Sequence, residues 1–243
     1  MFTLYLKEIK SFFSSVIGYV IIATFLIITG LFIWVFPNYY NVFELKTADL
    51  QGLFNLSCYL FLFLIPAITM RSFSEEKKSG TMELLFTKPL SDNQIIGAKF
   101  LACSSLLFIS LLPTLIYVYS VWKLGDPVGN IDLGSTFGSY LGLFLLGIVF
   151  VSIGIFASSI TNSQIIAFLL GAVFCFFVHF GFEFIYAFEI FGNAGGIIKS
   201  LGIEHHYLAI SKGVIDSRDL IYFITVTFLF LFGTKIVLLS RKW

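Results

Sequence analysis

Few side chains in this sequence could carry out chemistry, and the first candidates are His179 and Glu183. They stand four residues apart, so they share one face if a helix continues that far. On a common face they could form a proton relay or half of a metal site. The alternative is a neutral histidine bonded to Glu183 or to a backbone carbonyl near the outer interface. We favour this alternative because no third ligand is near in sequence.

Glu75 and Glu76 are a second pair of carboxylates. Such a pair could serve a membrane-embedded protease, but a base that activates water belongs in a dry pocket. These glutamates lie in the most polar stretch of the chain, beside Lys77 and Lys78. Their surroundings therefore argue against a protease.

Motifs for metal, nucleotide or disulfide chemistry are missing from the sequence. His205 and His206 follow Glu204, which is the wrong order and spacing for the zinc motif H-E-x-x-H. No Gly-Lys pair occurs, so the chain cannot form a phosphate-binding P-loop. The cysteines lie in apolar runs without C-x-x-C spacing and predict no disulfide framework: Cys58, Cys103 and Cys175. We therefore expect no cofactor and no metal on this chain.

The composition is that of a membrane protein. Of 243 residues, 58% are hydrophobic and 12% are charged, and the mean hydropathy is +0.96. Soluble domains average about 45–50% apolar and about 25% charged residues, so a soluble enzyme and a disordered tail are excluded. The net charge of +1 is too small for an electrostatic nucleic-acid binder.

Six stretches are long and apolar enough to cross a bilayer, which takes about 20 residues as a helix. They predict an all-α membrane protein, because lipid offers no partner to an open backbone group. The predicted spans are Val16–Phe36, Leu53–Met70, Phe100–Val121, Phe137–Ala157, Ile165–Phe182 and Leu220–Leu239. They hold almost no ionisable side chains, which argues against a transporter driven by protons or sodium. Energy, if it is used, should come from outside the bilayer.

Lysine and arginine predict the orientation. With the N-terminus in the cytoplasm, 10 of these residues lie inside and 5 outside, so both termini are expected to be cytoplasmic. Residues 1–14 repeat apolar side chains at helical spacing, which predicts an amphipathic helix in the cytoplasmic headgroup layer. A plain basic flank is the alternative.

The segment Arg71–Lys99 is far more polar than its surroundings. We expect a short charged helix that stops at Gly80, a second turn that Thr81 caps, and a cap at Ser91 or Asp92 for the third span. The two helical pieces would bend on the cytoplasmic face and offer a docking surface for a partner. A solvated loop that only follows the positive-inside rule is the other interpretation.

The segment 188–219 is too apolar for a loose loop and too short to cross the membrane twice. Two short helices that dip into the outer leaflet would fit it, and a plain surface loop is the alternative. In the region of the fourth span, Gly134, Gly138 and Gly142 stand four residues apart, which allows a close helix approach. The sequence therefore predicts a single membrane domain over residues 1–243.

A family resemblance rests on the polar loop. The stretch EEKKSGTMELLFTKPLS, followed by IIGAK at 95–99, resembles the cytoplasmic signature loop of ABC-2-type transporter permeases. These are the membrane subunits of one class of ATP-driven exporters. The resemblance covers the whole chain: residues 1–14 are similar to the N-terminal connecting helix, 152–166 to the turn between the fourth and fifth spans, and 203–223 to the segment before the last span.

Within that family the chain is most similar to the permease subunit of the gliding-motility ABC system of Bacteroidota, the GldF type. The stretches YLKEIKSFFSSVIGYVIIATFLIITGLFIWVFP and FLFLIPAITMRSFSEEKKSGTMELL carry this narrower resemblance.

The resemblance implies a non-catalytic subunit of the bacterial inner membrane that works as a dimer, with itself or with a related chain. A separate ATPase subunit would bind ATP and Mg and dock under the loop. The docking residues implied are Arg71, Phe73, Glu75, Glu76, Lys77, Gly80, Thr81, Glu83 and Leu84. In the outer segment the resemblance points to Glu204, His205, Gly213 and Asp216. In the gliding system a further partner would be a membrane protein with a large periplasmic domain.

Other functions remain open on the sequence. A general ABC-2 exporter of a drug, lipid or glycan is the nearest alternative. An intramembrane enzyme that uses His179 and Glu183 and a structural anchor that moves nothing are the others.

Overall fold

A computed structural model describes residues 1–83, 89–187 and 195–240. Within these ranges the chain is almost wholly helical and contains no strand, and six helices are long and apolar enough to span a membrane. The helices are α1 Phe2–Ser14, α2 Val16–Trp34, α3 Val42–Leu45, α4 Gln51–Thr69, α5 Arg71–Lys78, α6 Asp92–Leu111, α7 Leu115–Leu124, α8 Leu133–Ile160, α9 Gln164–Ala187, α10 Gly195–Ser200, α11 Ile203–Ser211 and α12 Ser217–Leu239. The all-helical class and the six predicted spans are confirmed.

The spanning helices differ in burial because α8 occupies the centre of the bundle. It packs against α4, α6, α9, α11 and α12. The helices α4, α6 and α8 are largely buried, whereas α2, α9 and α12 leave most of their surface exposed. Exposed apolar faces on long helices are what a lipid environment requires.

The third span bends near its middle. Helix α6 gives way to a single 3₁₀ turn at Leu112–Thr114, and α7 continues to Leu124. Pro113 causes the change because its nitrogen has no hydrogen to donate. The Thr114 hydroxyl lies 2.9 Å from the hydroxyl of Tyr140 on α8, which fixes the bend against the centre of the bundle.

The N-terminal segment forms the predicted helix, α1, which meets α2 at a sharp corner. Ser15 is extended, with φ −102° and ψ 151°, and separates the two helices. Gly18 makes the corner possible, because a Cβ there would lie 2.6 Å from the Phe12 carbonyl oxygen. Helix α1 buries Leu4 and Phe12 and packs along α6.

The two ends of the bundle carry different short elements. One end holds α1, α5 and the starts of α2 and α6, and we call it the α5 end. The opposite end holds α3, α10 and α11, and we call it the α11 end. The two short helices predicted in the segment 188–219 are thus present as α10 and α11, while residues 188–194 lie outside the described ranges.

Candidate functional site

The helix α5 continues from the second span after a break at Met70. Helix α4 contains Pro66 and ends at Thr69. As at the start of any helix, the first backbone N–H groups of α5 have no carbonyl partner in the preceding turn of the same helix. The N–H groups of Phe73 and Ser74 donate to Oγ of Ser158, over 2.8 and 3.1 Å. Ser158 in turn donates to the Met70 carbonyl at 3.3 Å. A serine of α8 therefore caps α5 and anchors it to the centre of the bundle.

The inward face of α5 is held by a buried lysine of α6. Lys99 is only 2% exposed, and its Nζ lies 2.9 Å from Oε1 of Glu76 and 3.2 Å from Oε1 of Glu8. The same ammonium lies 5.1 Å from the ring centroid of Phe73, which is fully buried. Lys7 adds a second positive charge 3.9 Å from both glutamates. This Lys99 cluster joins α1, α5 and α6 through Lys99, Glu8 and Glu76, which are largely removed from solvent, while Lys7 stays mostly exposed.

The outward face of α5 and the turn after it are open to solvent. Glu75 is half exposed and pairs with Arg71 at 3.1 Å. Lys78, Ser79 and Thr81 are exposed as well. Gly80 ends the helix with φ +70°, a conformation that side chains rarely adopt, so the predicted stop at this glycine is confirmed.

The structure separates the predicted docking residues into two groups. Arg71, Glu75, Gly80, Thr81 and Glu83 lie on the solvent side of the α5 end. Phe73 and Glu76 belong to the Lys99 cluster, and Lys77 donates to the Ser159 carbonyl at the end of α8. Leu84 lies outside the described residues. Glu75 and Glu76 therefore point to different surroundings.

Three residues of this end were not predicted as site residues: Glu8, Lys99 and Ser158. A charged lysine immediately before an uncharged span was the available signal for Lys99. Nothing local marks Ser158, because serines are common in membrane helices. Of the two candidate caps for the third span, Ser91 is the one used, in a capping box with Gln94.

At the α11 end, Gly138 and Gly142 of the predicted glycine ladder pack on α11 rather than on another span. A Cβ on Gly138 would lie 2.3 Å from the Ile210 carbonyl oxygen. Ser135 and Ser139 flank this contact and donate to the Ser211 carbonyl at 2.9 and 3.1 Å. Gly213 follows with φ +82° and packs against Gly134. Helix α11 therefore packs directly on α8.

The remaining residues predicted in the segment 188–219 lie at separate positions. Asp216 caps α12 by accepting from the Arg218 N–H at 2.9 Å. Glu204 and His205 line a cavity of ≈ 330 Å³ between α9, α10 and α11, together with His179 and Glu183. Partial burial raises the pKa of Glu204 to about 7, the neighbouring Glu183 carboxyl adds to the rise, and Lys199 opposes it.

His206, to which the sequence analysis gave no role, joins α10 and α11 to α12. Nδ1 of His206 lies 2.6 Å from Oδ1 of Asp219, and Nε2 lies 2.8 Å from the Ser200 carbonyl oxygen. Its ring stacks on Tyr222, with 4.0 Å between centroids. The Tyr222 hydroxyl donates to the Leu201 carbonyl at 2.6 Å. These contacts hold α10, α11 and α12 together.

Among the described residues, no group of three His, Cys, Asp or Glu side chains could hold a metal ion. Because Glu75 is exposed and Glu76 faces Lys99, the two cannot act on one water molecule as a protease pair.

Glutamine at Glu204 tests the electrostatics of the cavity. The pKa of Glu204 is raised when the protein folds, so its stabilising contribution is complete at low pH and is lost as pH rises through about 7. Glu204→Gln should therefore match wild type near about pH 4, below the ordinary pKa of the carboxyl, and melt at a higher temperature near about pH 8. Thermal unfolding in lipid-free detergent measures this, with Glu44→Gln as the exposed control. A melting difference that is the same at both pH values would contradict it.

Comparison with known proteins supplies the family. A family model described as "ABC-2 family transporter protein" matches residues 3–239, nearly the whole chain. No curated protein matches the chain.

Proposed function

Since the chain belongs to the ABC-2 family of transporter proteins, we propose that it is the permease subunit of an ATP-driven transporter and that its ATPase docks on the solvent face of α5. The family implies an ABC ATPase partner, and the sequence has no P-loop of its own. ATP and Mg would therefore bind to the partner. In this proposal the chain is non-catalytic, and α5 is the coupling helix.

The attachment of α5 is the observation that supports this role. Its outward face is free to meet a partner, while its inward face is fixed to three other helices. The Lys99 cluster joins it to α1 and α6, and Ser158 joins it to α8. Packed interiors transmit displacement rather than absorb it, so a push on Glu75 or Lys78 would reach the centre of the bundle.

The proposed orientation places the α5 end in the cytoplasm. The excess of lysine and arginine on that side supports it, as does the need for the ATPase to reach α5. Both termini would be cytoplasmic, and α10 and α11 would lie on the outer side of the bacterial inner membrane. Helix α1 would then lie in the cytoplasmic headgroup layer.

The proposed assembly contains two permease chains, identical or related. The large exposed apolar faces of α2, α9 and α12 are compatible with lipid and with a second membrane subunit. The resemblance of the first two spans and the polar loop supports a gliding-motility system, with a further subunit that carries a periplasmic domain. Deletion of the gene should then abolish gliding. Normal gliding with altered drug tolerance would favour a general exporter instead.

Reversal of the charge at Glu75 tests the docking surface. Glu75→Lys should leave membrane insertion and thermal stability near wild type, because the side chain is half exposed. Co-purification of the co-expressed ATPase should fall at least about tenfold, the effect of losing about 1.4 kcal/mol of binding. The double variant Glu75→Lys, Glu76→Lys should abolish it, and because Glu76→Lys also breaks the buried contact with Lys99, the single variant is the one that tests the docking surface.

The matched control is Glu44→Lys, an exposed glutamate of α3 at the opposite end of the bundle. It should leave the bound ATPase unchanged. Full retention of the ATPase by the double variant would show that α5 is not its docking site.

A further inference from the structure

The cavity at the α11 end has the size and lining of a binding site. Its ≈ 330 Å³ falls within the range of about 300–1,000 Å³ found for small-molecule sites. A second cavity of ≈ 100 Å³ adjoins it, because His179, Glu204 and Leu208 line both. The smaller cavity extends toward α4, because Asn55, Cys58 and Tyr59 also line it.

Unsatisfied polar atoms at this cavity indicate a ligand. His179 is only 4% exposed, and its ring lies edge-on to Phe150 and Phe180. Its Nδ1 is buried and has no hydrogen-bond partner among the described residues, and the same is true of Oε2 of Glu204. A buried polar group without a partner costs about 1–3 kcal/mol. A polar ligand in the cavity would remove that cost.

The charged side chains around the cavity indicate which class of ligand it would bind. Glu183 and Glu204 form a carboxyl pair beside His179, and Lys199 and Lys212 are exposed lysines of the same lining. An acidic site beside a basic site suits a molecule that carries both an ammonium and an anionic group. Glu183 lies one turn before the end of α9 at Ala187, which is the depth of lipid headgroups for a spanning helix.

An aromatic stripe continues from the cavity along α9. The rings of Phe176, Phe180 and Phe184 contact one another in series, with centroids 5.1 and 6.1 Å apart. Phe176 and Phe184 are exposed. Such a stripe would pack against an acyl chain whose headgroup occupied the cavity, which favours a lipid over a soluble molecule.

From these observations we propose that the cavity binds an ammonium–phosphate headgroup of the phosphoethanolamine class. The Glu183–Glu204 pair accepts hydrogen bonds from the primary ammonium, and Lys199 and Lys212 bind the phosphate. The site is independent of ATPase docking, so either proposal can fail alone.

Binding should strengthen as pH rises. In the empty site Glu204, whose pKa is about 7 because of burial and Glu183, retains a proton that a bound ammonium would displace. Affinity for phosphatidylethanolamine should therefore be higher at about pH 8 than at about pH 6. The other titratable groups that face the pair are His179, Lys199, His205 and Lys212 in the larger cavity and Tyr40, Cys58, Tyr59 and Tyr207 in the smaller one.

Native mass spectrometry of the whole protein in detergent tests the proposal. Phosphatidylethanolamine should bind at least about tenfold more tightly than phosphatidylcholine, because a quaternary ammonium has no N–H to donate to the carboxyl pair. The double variant Glu183→Gln, Glu204→Gln should lose about tenfold or more in affinity, and Lys199→Gln with Lys212→Gln should also weaken binding. Glu44→Gln is the control and should bind as wild type does.

The lysine variant guards against misfolding, because both lysines are exposed and should not affect folding. In a second experiment, soluble phosphoethanolamine competes with the lipid for the cavity. If it displaces the lipid at equal concentration, the headgroup alone supplies the affinity and a soluble ligand of the same chemistry satisfies the site. Equal binding of the two lipids, or wild-type binding by both double variants, would overturn the proposal.

Discussion

Replacement of Lys99 by methionine should lower the free energy of unfolding by about 3 kcal/mol, because it removes the buried cation that Glu8 and Glu76 share and leaves them only the exposed Lys7, 3.9 Å from each. The value is at the low end for a broken buried ion pair, since the glutamates retain 15% and 14% of their exposure. Reversible denaturant titration in mixed micelles measures the loss. It should exceed that of Lys78→Met, where the side chain is exposed.

The origin of this loss can be checked by removing the stranded charges. Adding Glu8→Gln and Glu76→Gln to Lys99→Met should recover most of the lost stability, because no uncompensated carboxylate remains. If Lys99→Met unfolds as easily as Lys78→Met, the buried cluster does not hold α5. If the ATPase docks on α5 as proposed, Lys99→Met should also reduce ATP-driven activity more than ATPase binding, because the exposed face of α5 is intact while its attachment to the bundle is weakened.

Alanine at Gly138 should be the second strongly destabilising change. The added Cβ would lie 2.3 Å from the Ile210 carbonyl oxygen and 3.0 Å from Cα of Gly213, and both are backbone atoms that cannot turn aside. Overpacking of this kind costs about 1–3 kcal/mol. We expect a loss at the upper end of that range, which denaturant titration would measure. The amides of α11 should also exchange hydrogen faster, which exchange mass spectrometry would measure.

Gly97→Ala is the matched control, because it is also a helical glycine. A Cβ there would meet only the terminal methyl group of Met1, at 3.2 Å. That side chain can move, so alanine should be neutral or raise stability by as much as about 1 kcal/mol. A Gly138→Ala protein as stable as Gly97→Ala would mean that α11 does not rest on α8 as described.

Local features of this protein were predictable from its sequence. Gly80 ends a helix because it can adopt positive φ, and Ser91 begins one because its hydroxyl accepts an N–H three residues on. Each feature depends on only a few neighbouring residues. Hydropathy is likewise a sum over a short window, so the six spans followed directly.

Partners across the bundle could not be predicted in this way. The short charged helix that stops at Gly80 was predicted, but its cap by Ser158 of α8, more than eighty residues later in the chain, was not. The glycine spacing around Gly138 predicted that another helix packs closely there, but it did not say which one, and the structure shows that it is α11. The sequence showed Lys99 as a positive charge at the end of the polar segment, and it gave no sign that Glu8 and Glu76 would surround it.

The sequence by itself determined that this protein is a six-span helical membrane protein with a polar loop, because a bilayer selects for apolar length and for charge placement along the chain. The tertiary structure decided which charges are buried together and where a cavity lies. Lys99 meets Glu8 across 91 positions of sequence, and Glu204 meets Glu183 across a segment between two helices. In a chain whose spans are apolar on every side, periodicity does not mark the faces that pack, so these contacts follow only from the folded bundle.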